Sequence, residues 1–211
     1  SSDKLLIRVT GKGGHASEPH RVLDPIPVAC EIVQAFQTMV TRRIDPFDPT
    51  VVTIARISAG TTNNVIPDTA EIEGTIRAVS ERTRAKVHDG IRRVAEGIAA
   101  AHEVEVDVRL DFGYPVTVNS DDIVDVSSRV AGEVLGTDRV IRLPNPVMGA
   151  EDFSYVLNKV PGAMAFLGAT PPGIDPFSAA PNHSNLVQFD ENTMTTGMAL
   201  YTAMALNHLA N

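Results

Sequence analysis

Apolar and polar residues alternate with period two over residues 4–10, KLLIRVT, the pattern of a strand with one buried face. The period then lengthens. In DPIPVACEIVQAFQTMV (24–40), Val28, Ile32, Val33, Phe36 and Val40 recur at helical spacing, with Asp24 as N-cap and Pro25 as the first helical residue. Period two returns in TVVTIARIS (50–58) and TAEIEGTIRAVS (69–80), on either side of a loop, AGTTNNVIPD. In the later strand Ala70, Ile72, Gly74, Ile76 and Ala78 share one face, and Glu71, Glu73, Thr75 and Arg77 the other. Ser80 caps a second helix striped by Val87, Ile91, Val94 and Ile98. VEVDVRLDF (104–112) then alternates Val104, Val106, Val108 and Leu110 with charged residues. Strand, helix, strand, strand, helix, strand predicts a ferredoxin-like βαββαβ unit, an α+β domain over residues 1–114.

Residues 115–211 carry a different pattern. SDDIVDVSSRVAGEVLG predicts a capped helix ending at Gly136, MGAEDFSYVLNKV a short helix and GAMAFLGA a short apolar strand. A long loop, TPPGIDPFSAAPNHSN, leads to a last helix capped by Asp190 and running to about Leu209. One strand with two or three helices cannot cover a sheet on both faces. This half is therefore expected to belong to a larger α/β layer, and the chain to be a piece of a longer protein.

Charge and composition narrow the partners. A formal charge of −8 over 211 residues argues against nucleic acid, which is bound through clustered Lys and Arg. No apolar run approaches the ~20 residues of a membrane span, so no membrane partner is expected. The single cysteine, Cys30, excludes an internal disulfide and fits a reducing, cytoplasmic setting; its helical context predicts a buried thiol.

Chemistry is concentrated in a few loops. GKGGHASEPH (11–20) ends a strand with three glycines and two histidines. His15, Glu18 and His20 could chelate one ion, although Pro19 excludes presentation from a helix. His88 and His102, among charged neighbours, are expected at the surface, and His208 suits a helix C-terminus. His183 stands in a loop too long for a simple connector, as a ligand or a solvated residue. The Asn64 amide could hold a carbonyl or a developing oxyanion, and Arg77 could grip a carboxylate or pair with Glu71 or Glu73. No nucleophile elbow and no P-loop accompany them.

Taken in order, GKGGHASEPH, DPIPVA, GTTNNVIPDTAEIEGTIRA, GYPVTVN, MGAEDFS and PNHS followed by FDE resemble one family. It is the aminoacylase, hippurate hydrolase and auxin-conjugate hydrolase group of two-metal amidohydrolases, akin to zinc carboxypeptidases and dipeptidases. The resemblance covers nearly the whole chain. It implies that residues 1–114 are a lid and dimerisation domain, and that residues 115–211 are the C-terminal part of a metallopeptidase-like α/β catalytic domain. It further implies a homodimer in which His15 reaches the partner's site and polarises the scissile carbonyl. Asn64 and Arg77 would bind substrate carbonyl or carboxylate, Gly149, Glu151 and Asp152 would line the pocket, and His183 would ligate a metal. The substrate would be an N-acyl amino acid or peptide, cleaved by water activated on two divalent ions, zinc or manganese or cobalt.

Such enzymes also carry an N-terminal half with a Cys-His or His-Asp metal motif and a Glu-Glu pair. No CGH, H-x-D or EE occurs here. The resemblance thus implies a chain that holds no metal tightly and hydrolyses nothing by itself. A reading from another class is a non-catalytic dimerisation or binding module, self-associating through an open sheet face and an edge strand.

Overall fold

The computed structural model describes residues 1–210, which form two compact units. One contains residues 1–117 and 145–156; the other contains residues 118–144 and the chain from Leu157 onward.

In the first unit the elements run β1 (Asp3–Thr10), β2 (Gly14–His15), α1 (Pro25–Arg43), β3 (Thr50–Ala59), β4 (Val65–Ile66), β5 (Thr69–Ala78), α2 (Glu81–Ala101) and β6 (Glu105–Phe112). The four long strands pair antiparallel in the order β3-β5-β1-β6, the arrangement expected of a ferredoxin-like unit. Leu5, Ile7, Val9, Ala70, Ile72 and Ile76 point to one face and bury themselves against Val28, Ile32 and Phe36 of α1 and Val87 and Ile91 of α2. Each large apolar side chain so buried stabilises the fold by about 1.5–3 kcal/mol. The helices start where the sequence places their caps. Asp24 Oδ1 accepts the Ile26 N–H at 3.0 Å and Ser80 Oγ accepts the Thr83 N–H at 3.1 Å. They meet closely at Gly90, where a Cβ would stand 2.3 Å from Met39 Sδ.

The opposite face of the sheet carries the charged residues. Arg8 pairs with Glu71 at 3.3 Å, and Arg56 pairs with Glu73. These carboxylates are therefore engaged by other arginines, not by Arg77.

Two surface assignments made from local pattern are reversed. Cys30 is exposed, because it lies about 100° round α1 from Ala29 and off the stripe of Val28, Ile32, Phe36 and Met39. His88 is buried, its Nε2 2.8 Å from Asp3 Oδ2; its charged sequence neighbours point elsewhere while α2 turns it toward β1.

The second unit holds α3 (Asp121–Leu135) and α5 (Thr193–Leu209), which pack on each other. Helix α4 (Ser154–Leu157), three of its four residues in the first unit, is a single turn, shorter than the helix expected over 148–160. Helix α3 ends at Gly136, whose φ of +96° suits a residue without Cβ. Residues 162–169 are not a strand. Among the described residues this unit offers no strand to pair with, and the Asn119 side chain takes that role. Its amide donates to Met164 O at 3.0 Å and accepts the Met164 N–H at 2.9 Å. Asp190 shapes the turn ahead of α5, accepting the Asn192 N–H at 3.0 Å, and the helix proper begins at Thr193. Helix α5 is largely apolar and carries no charged Asp, Glu, Lys or Arg, yet it is exposed, with Met194, Met198, Tyr201 and Leu206 in solvent. Such a helix is a core helix by composition. No described helix is long and apolar enough to cross a membrane.

Candidate substrate-binding site

The loop after β1 is built by backbone contact. Gly11 N–H donates to Asp68 O at 2.8 Å, Gly13 N–H donates to Asp68 Oδ1 at 2.8 Å, and Lys12 exchanges two hydrogen bonds of 2.9 Å with Leu23. None of these glycines has a positive φ. A Cβ on Gly11 would lie 2.0 Å from Leu23 O, on Gly13 2.5 Å from Ile66 O, and on Gly14 2.5 Å from Val22 Cγ1. The glycines are needed because other parts of the protein press against them.

This packing brings the backbones of the His15 and Asn64 segments together. Strand β2 pairs with β4, Gly14 opposite Ile66 and His15 opposite Val65, and the Ala16 N–H donates to Asn64 O at 3.1 Å. Two-residue strands carry no periodicity, so the sequence could not announce the pairing. The His15 ring is exposed and its Nδ1 accepts from Ser17, from the N–H at 3.2 Å and from the hydroxyl at 2.7 Å. With Nδ1 accepting from the Ser17 N–H, a neutral ring carries its proton on Nε2, as a donor. Across the ribbon, Thr62 Oγ1 donates to Asn64 Oδ1 at 3.2 Å, leaving the Asn64 NH2 free to donate. Neither hydroxyl stood out in the sequence. A Ser or Thr two positions from a polar residue is too common to signal anything.

Arg77 is elsewhere. Thr10 pairs with Thr69 at the His15 end of the sheet, whereas Asp3 pairs with Ile76 at the other end. Arg77 is eight residues along β5 from Thr69, roughly 25 Å at the ordinary strand rise. Its guanidinium donates to Ile76 O at 3.2 Å and is half-buried. The segment with Gly149 and Glu151 belongs to that same end. Tyr155 meets Tyr114 edge to face at 6.0 Å, and its hydroxyl donates to Gly113 O at 3.4 Å. Glu151 O accepts from Ser154, starting the α4 turn, while its carboxylate is exposed. Gly149 has open space where a side chain would be, apart from Val147 Cγ1 at 3.8 Å.

His183, in the second unit, is exposed and has a φ of +71°. Left-handed backbone in a residue other than glycine costs energy and often marks a functional position. His20 lies in the 3-10 turn Pro19–Arg21, and Glu18 binds Arg21 at 3.5 Å, so the side chains of the GKGGHASEPH loop do not converge. Among the described residues no three His, Cys, Asp or Glu side chains form a metal-ligating group. The donors present do not fit a resident metal, and His183 belongs to no such three-residue group among them.

Residues 2–103 match the family model of a peptidase dimerisation domain. Over 205 residues, 97% of this chain, the sequence is 36% identical to thermostable carboxypeptidase 2 of Saccharolobus solfataricus. Over 209 residues, 99% of the chain, it is 33% identical to hippurate hydrolase of Campylobacter jejuni. The chain spans about half the length of these relatives, 51% and 53%. The crystal structure of a dinuclear metal-binding peptidase of the M20 family from Bacillus subtilis superposes on 100% of this chain and 50% of its own, with a TM-score of 0.78 and 28% identity.

Proposed function

The chain belongs to the M20 family of amidohydrolases and peptidases, and from that membership we propose that it is the substrate-gripping part of a metal-dependent enzyme that cleaves the amide bond of N-acyl amino acids or short peptides. The observation that supports the reading is the backbone pairing of the His15 and Asn64 segments in one ribbon, with the His15 ring held by Ser17 and the Asn64 amide by Thr62.

Hydrolysis of an amide puts negative charge on the former carbonyl oxygen. The His15 Nε2–H and the Asn64 amide would donate to that oxygen, and one such donor is worth about 10²–10³ in kcat. Arg77 would bind the substrate carboxylate, bidentately and with little effect on the chemical step. A small substrate cannot bridge the length of β5. A site using all three residues therefore takes His15 and Asn64 from one subunit and Arg77 from another.

A dimer supplies that arrangement. β3 and β6 are the edges of the sheet, and an edge strand is a template for pairing with a second chain. Residues 1–114 act as the lid and dimerisation domain, and residues 115–211 as part of the catalytic layer. The exposed apolar surface of α5 supports packing of this second part against further elements of that layer. In the complete enzyme His183 would be one ligand of two divalent ions, and Gly149 and Glu151 would border the pocket. The other ligands and the base that activates water lie outside this chain, which is proposed to be inactive alone.

The test is hydrolysis of N-benzoyl and N-acetyl amino acids and of short peptides by the full-length enzyme with zinc, manganese or cobalt. Turnover of one of these classes, lost in His15→Ala with the dimer intact, supports the reading. No turnover with any of them removes it. The match over residues 2–103 also favours a simpler reading, a dimerisation module without a catalytic part; His15→Ala would then leave turnover and dimer unchanged.

A further inference from the structure

We infer that Ser17 and Thr62 are positioning residues: Ser17 sets the tautomer of His15, with the ring proton on Nε2, and Thr62 holds the Asn64 side chain in one rotamer. The inference rests on the reading that these two side chains hold the substrate carbonyl oxygen.

Both side chains are ambiguous by themselves. A neutral imidazole carries its proton on either nitrogen, and a primary amide can turn either its oxygen or its NH2 to the substrate. An acceptor facing a carbonyl oxygen repels it, so for each side chain one of the two arrangements is unproductive. For His15 the Ser17 N–H, which can only donate, resolves the ambiguity, and for Asn64 the Thr62 hydroxyl restrains the side chain. The Ser17 hydroxyl, 2.7 Å from His15 Nδ1, and the Ser17 N–H, 3.2 Å from it, occupy that nitrogen as donors and leave the proton on Nε2. The Thr62 hydroxyl lies 3.2 Å from the Asn64 oxygen and holds that side chain in one rotamer.

The two locks come from opposite sides of the β2–β4 ribbon, whose register holds Val65 opposite His15 and the Asn64 carbonyl on the Ala16 N–H. Donor orientation is thus prepared before substrate arrives, and reorientation is not left to the reaction step. Fixing a ring by bonding its other nitrogen is the usual way a histidine tautomer is set.

Two measurements test this. The first is the tautomer of His15, read from the ring-nitrogen NMR shifts of the chain labelled at histidine. The expected spectrum shows protonated Nε2 and acceptor Nδ1, moves toward a tautomer mixture in Ser17→Ala, and returns in Ser17→Thr. A mixture in the parent chain, or no change in Ser17→Ala, overturns the inference without touching the functional reading.

The second measurement is kinetic, in the full-length enzyme. Ser17→Ala and Thr62→Val should each lower kcat about fivefold, the worth of one ordinary hydrogen bond, with KM nearly unchanged. Ser17→Thr and Thr62→Ser should restore most of it. If His15→Ala is inactive while Ser17→Ala and Thr62→Val keep parental kcat, the locks are not used. If His15→Ala itself keeps full turnover, the functional reading falls instead.

Discussion

Arg84 on α2 grips Asp3 at the start of β1, 81 residues away in sequence, through its Nε at 2.8 Å from Asp3 Oδ2 and a second bond from its Nη2. His88 Nε2 and the Gly113 N–H complete the shell of the carboxylate. The pair is out of solvent, the Asp3 side chain at 0% exposure and Arg84 at 7%. Phe112 lies over the Arg84 guanidinium at 5.1 Å and edge-on to the His88 ring. Glu81, also bound to Arg84, accepts the Val116 N–H at 2.9 Å. The first strand and the segment leaving the sheet are therefore tied to the same helix by one buried network.

Asp3→Ala should destabilise the first unit by about 3–5 kcal/mol, because a buried arginine loses its counter-charge. Urea unfolding of the variant measures this. Burial pushes the Asp3 carboxyl up, but the hydrogen bonds of Arg84 and Gly113 and the charge of Arg84 outweigh it and hold the group below its usual value. An unchanged midpoint would mean that the network is idle.

Asp48 predicts a pH dependence. Its Oδ2 accepts from Thr83 Oγ1 at 2.7 Å, and from Arg82 and Ser80 Oγ at 2.8 Å, fastening the loop before β3 to the start of α2. These bonds, with that of Thr83 foremost, lower the carboxyl to about 2. The ionised form is the one bound in the fold, and the unfolded carboxyl titrates near ~3.9. The contribution is thus whole above the unfolded value and is lost as pH falls toward about 2. Asp48→Asn should cost about 1 kcal/mol at neutral pH, since Arg82 is largely exposed, with the difference from the parent vanishing in strong acid. Denaturant melts across that range check it.

Gly11→Ala should displace the His15 loop. The added carbon would meet Leu23 O at 2.0 Å, a backbone atom that cannot swing aside. A loss of about 1–3 kcal/mol is expected. Gly97→Ala is the control: nothing lies within 4 Å of its Cβ, and the residue is exposed inside α2. It should stabilise by roughly 0.5–1 kcal/mol. Thermal melts of the two variants should move in opposite directions.

The two ends of β5 predict complementation between subunits. His15→Ala and Arg77→Ala homodimers of the full-length enzyme should each be impaired, the first in kcat and the second in KM. Re-associated mixtures should regain about a quarter of parental activity. Half of the dimers are then mixed, and each has one site with both residues intact. Mixtures no better than their components would show that both residues serve a site within one subunit.

Much of the first unit was legible because its signals are local. The alternation in β1 and β5 and the stripes of α1 and α2 need only the period of the backbone, and Asp24 and Ser80 announce helix starts through bonds two or three residues long. His15 and Asn64 were also visible as residues with suitable chemistry. Their meeting was not, because it depends on a ribbon of two residues per strand and on three glycines pressed against Val22, Leu23 and Ile66.

The readings that failed are those settled by a distant partner. Charged neighbours suggested a surface place for His88, and Asp3, 85 residues earlier, made a buried one favourable. An apolar run suggested a strand at 162–169, but a strand is a pairing, and there the partner is the side chain of Asn119. Sequence by itself determined the order of elements in the first unit, the side of each that faces inward and the residue types available for chemistry, since these follow from steric and solvation rules acting over a few residues. Only the tertiary structure decided which loops stand together, which residue holds His15 Nδ1 and which arginine neutralises each buried or paired carboxylate. Those outcomes depend on distances of about 3 Å between residues far apart in the chain, and no local pattern encodes them.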